Sequence, residues 1–196
     1  MNPPSPTPAA DAPGRARQLA NFVAFQGAWF AAVLGAAHGV PLWGTVAPVA
    51  AMGWHVAASA RPLVEAKLLA IVCAIGFVSE TASVLQGHVA YPSGQPVAYL
   101  PPYWMVALWG LLGIALNVTL RWLKHRPVLA SALGAVAGPL SFVSGVKLGG
   151  AEFVDPSPAL VTLACTWGVL MPALMALSNR FDGVAVPAPI EEPSHA

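Results

Sequence analysis

At 196 residues the chain is 57% hydrophobic and only 9% charged, against roughly 25% charged residues in a soluble domain, which excludes a water-facing surface over most of its length. A formal net charge of +1 without a long Lys/Arg run excludes the field expected of a nucleic-acid binder and a strong anionic-lipid patch. The class that remains is an all-α, polytopic membrane helix bundle.

Residues 1–20, MNPPSPTPAADAPGRARQLA, are rich in Pro, Ala and small polar residues and read as a disordered cytoplasmic tail that buries too little surface to order itself. Arg15 and Arg17 ahead of an apolar stretch imitate a secretory signal. That stretch exceeds the roughly 7–15 residues of a signal core, so an uncleaved first span is expected. Six transmembrane helices are predicted, at 21–40, 43–60, 63–85, 103–122, 128–148 and 159–178, forming one domain over 21–178, with 179–196 as a flexible cytoplasmic tail. Pro41 separates the first pair, which reads alternatively as a tight hairpin turning at GVPLWG, and Arg61-Pro62 separates the second. The segment YPSGQPVAYLPP separates the third from the fourth, since proline lacks a donor and disfavours helix in the residue before it. Arg15, Arg17, Arg61, Lys67, Arg121, Lys124, Arg126 and Arg180 all fall on one side of such a bundle, and only Lys147 falls on the other. Both termini are therefore expected to be cytoplasmic. Trp43, Trp104 and Trp122 sit at predicted boundaries, where amphipathic rings anchor helices.

The third span carries the stretch AIGFVSETASVLQGH, in which Glu80 is the one charged residue. It lies on a stripe of Cys73, Gly76, Glu80, Ser83 and Gly87, and the fifth span has a matching stripe of Ser131, Gly134, Gly138, Ser141 and Gly145. The fourth has Gly110, Gly113 and Asn117. Small residues let helices approach in lipid, so spans three, four and five are expected in close contact. A charge at mid-bilayer costs at least about 2.5–3.5 kcal/mol on insertion scales, so an acid there has to be paired, hydrated or protonated. Counting from the start of its span places Glu80 ~25 Å along, in the outer half, where Lys147 is an expected partner. His38, His88 and Tyr103 belong to the same depth, whereas Gln26, His55, Asn117 and Arg121 lie nearer the cytoplasm. Glu80, Lys147, His88, Asn117 and Arg121 are the candidate functional polar residues, with structural ion pairing, snorkelling or loop exposure as their ordinary alternatives. Pro139 interrupts the hydrogen-bond ladder of span five beside Gly138 and Ser141, either framing a pocket or serving packing. Cys73 and Cys165 read as small buried hydrophobes. No HxxxH or ExxH spacing, nucleotide loop or nucleophile elbow occurs, so no metal, cofactor or catalytic residue is assigned.

LPPYWMVALWGLLGIALNVTLRWL and GAVAGPLSFVSGVKLGG, a Pro-Pro-x-Trp entry followed by a Gly-Pro-Leu-Ser-aromatic span, resemble the bacterial domain of unknown function 2878 family. Glu80 with Gly87 looks like that family's acidic position, where Asp is usual. The resemblance implies a small multi-pass inner-membrane protein among membrane lipids, with lipid-modifying enzymes as partners, and implies no particular activity. Three functions stay open: a cleft among spans three to five that binds or helps modify acyl lipids, a small proton-coupled transporter, and a membrane scaffold for partner enzymes.

Overall fold

The computed structural model describes residues 13–184. Six α-helices follow in order, α1 (Arg15–Ala37), α2 (Pro41–Ala57), α3 (Pro62–Gln86), α4 (Tyr103–Leu116), α5 (Pro127–Lys147) and α6 (Pro156–Arg180). A two-residue antiparallel pair, β1 (Val89–Ala90) with β2 (Glu152–Phe153), ties the loops after α3 and α5. Proline occupies the first turn of α2, α3, α5 and α6, where its missing N–H has no helical acceptor to lose. Exposed Phe22, Val23, Phe77, Val78, Val136 and Val169 give the outer face an apolar surface that suits lipid and not water.

The bundle is a membrane-protein fold, but two of its helices fall short of the expected spans. α1, α3, α5 and α6 are long and apolar enough to cross a bilayer. α2 has 17 residues and α4 has 14, or ~25 and ~21 Å at 1.5 Å per residue, against a hydrocarbon core of about 30 Å. α4 ends at Leu116 and not near residue 122, because Asn117 turns its amide to α3 and to the chain leaving α6. Ten of the 14 residues of α4 are buried. It is the central post, packed against α1, α2 and α3, and is screened from lipid by them.

α1 begins at Arg15, inside the stretch read as a tail. The rest of that predicted tail, 1–12, lies outside the described residues, as does 185–196 of the C-terminal one. Residues 181–184 are instead docked: Gly183 O accepts from Arg61 N at 2.9 Å, and Gly183 and Val184 are buried. Both described ends thus lie at the same end of the bundle, with Arg15, Arg17, Arg61, Arg121, Lys124, Arg126 and Arg180. α1 and α2 form the tight hairpin, because Gly35 and Gly44 bring the backbones together. A Cβ on Gly35 would stand 2.7 Å from Gly44 Cα.

The stripe on α5 faces α6 and not α3 and α4. Cβ atoms on Gly134 and Gly138 would come within 2.3 Å of the Trp167 backbone carbonyl and ring. Gly145 is also buried, Pro139 is half-buried within a continuous helix, and Ser141 is exposed because Phe142 takes the inward position of that turn.

Candidate functional site

Glu80 lies on the face of α3 that meets α4, and its side chain is 2% exposed. One turn before it, Gly76 has no room for a Cβ, which would fall 2.1 Å from the Trp109 ring. The missing side chain lets the indole of α4 lie directly on α3, and Trp109 Nε1 then donates to Glu80 Oε1 at 3.0 Å. Gly87, at φ 73°, ends α3 in the left-handed conformation that glycine adopts without strain. The chain reverses through β1 and brings the Tyr91 hydroxyl to Glu80 Oε2, again at 3.0 Å. Burial, followed by the negative carboxyl beside it, pushes the Tyr91 phenol well above its ordinary value, so it stays a neutral donor. Trp109 in turn stacks on Trp167 of α6, ring centroids 4.8 Å apart at 17°.

Beside this cluster α3 and α6 diverge and leave a lateral groove of about 820 Å³. Ala70 and Ala74 of α3 keep it open along the inner part, while Ser79, Ser83 and Gln86 line it toward the end of α3. α6 supplies Thr162, Thr166 and Trp167, and Glu80 forms part of the wall. Val78 and Val169, also in the lining, are among the most exposed apolar residues, so the groove opens sideways onto the lipid-facing surface. Such a shape holds an elongated apolar group with a polar end near Glu80.

The predicted partner of Glu80 is elsewhere. Lys147 is exposed at the end of α5, and the two hydrogen bonds to Glu80 come from Tyr91 and Trp109. His88 Nδ1 lies 3.5 Å from Asp155 Oδ2, linking the turn after α3 to the start of α6. The expected cleft among spans three to five is replaced by the groove between α3 and α6, because the small face of α5 is filled by Trp167. Trp43 and Trp122 are exposed, as boundary anchors would be, but Trp104 is not an anchor: at 1% exposure it packs edge-on to Tyr91 and donates to Ser93 O at 3.1 Å. The loop around Gly94, at φ 86°, folds over it.

Asn117 and Arg121 belong to a second buried cluster at the opposite end, centred on Glu65, a residue absent from the expected candidates. Glu65 is fully buried and accepts from His55 Nε2 at 2.8 Å, Asn117 Nδ2 at 2.8 Å and Gly183 N at 2.7 Å. Arg121 and Lys124 both reach Asp182 Oδ2, at 2.6 and 2.7 Å. Burial lowers the Lys124 ammonium below its ordinary value, and Asp182 opposes the shift. Glu65 lies in the first turn of α3, where an acid suits the helix dipole whatever else it touches. The available signal was symmetry: His55 and Glu65 stand five residues either side of Ala60, so an antiparallel pair of helices turning there brings them together.

A family model described as "Protein of unknown function (DUF2878)" matches residues 18–173. No curated protein and no solved structure matches the chain.

Proposed function

The chain belongs to the DUF2878 family, and on that premise we propose that it is a lipid-binding membrane protein whose lateral groove between α3 and α6 takes an acyl chain from the bilayer. The observation that carries this reading is the groove itself, cut between two helices long and apolar enough to cross a membrane, with a buried acid in its wall. A cavity open to hydrocarbon is filled by hydrocarbon. What distinguishes this one from an ordinary lipid-facing crevice is the polar strip of Ser79, Glu80, Ser83, Thr162 and Thr166, which gives a bound chain a preferred direction. Hydroxyls and a carboxylate inside the apolar layer are costly unless they are satisfied, so the strip favours an occupant with a polar head.

The bias of Lys and Arg toward the end that holds both described termini supports an orientation with that end cytoplasmic, in the bacterial inner membrane to which we assign the protein. The groove's polar end then faces the outer leaflet. Binding is the function proposed. Presentation of the bound lipid to a modifying enzyme is the use we assign to it. Native mass spectrometry of the full-length protein released from membranes tests the reading. A retained lipid adduct that Ala74→Trp removes is the expected result, and adducts identical in wild type and Ala74→Trp contradict it.

A further inference from the structure

Resting on the groove reading, we infer that the lipid taken there carries a protonated amine at its polar end, and that Glu80 is the residue that recognises it. The other acids that are buried or form ion pairs among the described residues have a basic partner within the chain. Glu65 faces His55, Asp182 faces Arg121 and Lys124, and Asp155 faces His88. Glu80 is the exception. Its two protein partners, Tyr91 and Trp109, are neutral, and among the described residues no Lys, Arg or His forms an ion pair with it.

A carboxylate has about four lone-pair directions, and Tyr91 and Trp109 use two. They hold the group in place, at 2% exposure, and leave two of those directions unused on a side chain that forms part of the groove wall. The surroundings suit an ammonium. Ser79, Ser83, Thr162 and Thr166 supply hydroxyl oxygens that accept N–H donors. The indole of Trp167, stacked on Trp109, puts an electron-rich ring system at the same wall. A lipid with an anionic head would place like charge against Glu80. A neutral head would leave the acid without a counter-charge in a water-poor layer, where ion pairing is strongest. Tail and head also fit in register. The acid lies six residues from the end of α3, ~9 Å below it, and the lining continues inward to Ala70, a further ~15 Å. A single alkyl chain runs inward from an amine held at Glu80.

The test compares three ligands with one tail and different heads: hexadecylamine, hexadecanol and hexadecanoate. Each is bound at neutral pH to the full-length protein in phosphatidylcholine nanodiscs and corrected for empty discs. The amine is expected to bind at least about tenfold more tightly than the alcohol, with the carboxylate weakest. Glu80→Gln is expected to abolish the amine's advantage over the alcohol, and Glu80→Asp to keep the amine ahead. Equal binding of amine and alcohol by the wild type overturns the amine inference and leaves the groove standing. Saturable binding of none of the three overturns both. Should Glu80→Gln fail to fold, the wild-type order of the three heads decides the matter.

Discussion

Trp109 Nε1 donates to Glu80 Oε1 at 3.0 Å, joining the central helix α4 to the one acid of the groove wall. The bond exists because Gly76, a turn below, has no side chain. Gly76→Ala is expected to push the indole off α3, since the new Cβ would lie 2.1 and 2.6 Å from the ring and the Trp109 Cβ, which cannot swing clear. Overpacking of this kind costs about 1–3 kcal/mol. Thermal unfolding in detergent should show that loss, together with loss of the Glu80-dependent ligand preference.

Two glycines of α5 make a matched pair. Gly134 packs on the Trp167 backbone carbonyl, 2.3 Å from where a Cβ would stand, whereas nothing lies within 4 Å of a Cβ on Gly145. Gly134→Ala should therefore separate α5 from α6 and lower the melting temperature, while Gly145→Ala leaves it unchanged or slightly raised. Equal effects of the two would refute the packing described for this hairpin.

The bundle class was legible from the charge deficit, and the hairpin from the glycines around GVPLWG. Burial of Glu80 followed from its place on a stripe of small residues. Its partners did not follow. Gly76 announces a close neighbour without saying that the neighbour is Trp109. Trp104 departs from its expected place for a related reason, since an indole at a helix start has the signature of an interfacial anchor whether or not a loop covers it. The α5 stripe is a contact face, as its small residues predict, but the helix it meets is α6 and not α3 or α4. A period of three to four residues tells which side of a helix is packed and carries no information on which helix packs there.

Glu65 anchors the opposite end by accepting from His55, Asn117 and the Gly183 amide. Glu65→Ala strips a buried partner from all three, and breaking a buried pair in this way costs about 3–5 kcal/mol. The expected signs are a large fall in melting temperature and faster proteolysis after Arg180, because residues 181–184 lose their tether. Unchanged proteolysis would show that Arg121 and Lys124 hold that segment through Asp182 without help from Glu65.

Tyr91 gives the fold a pH dependence with a definite sign. Its phenol is raised above the ordinary value of 10 by burial and by Glu80. Between the unfolded and folded values the native state holds a proton that the unfolded chain has released, so stability is complete below about pH 10 and declines above it. Melting temperature measured from pH 8 to 11 should fall over the upper part of that range, and Tyr91→Phe should flatten the decline. The same slope in both proteins would assign the alkaline loss to other groups.

Whether the groove between α3 and α6 takes acyl chains is decided by photo-crosslinking in membranes with a phospholipid carrying a diazirine in its tail, mapped by peptide mass spectrometry. Adducts should concentrate on the groove-lining parts of α3 and α6, Ala70 to Gln86 and Thr162 to Leu170, and should fall at least several-fold in Ala74→Trp. Adducts spread evenly over every exposed apolar face, Phe22, Val23 and Val136 included, and indifferent to Ala74→Trp would mean that the groove is ordinary lipid-facing surface.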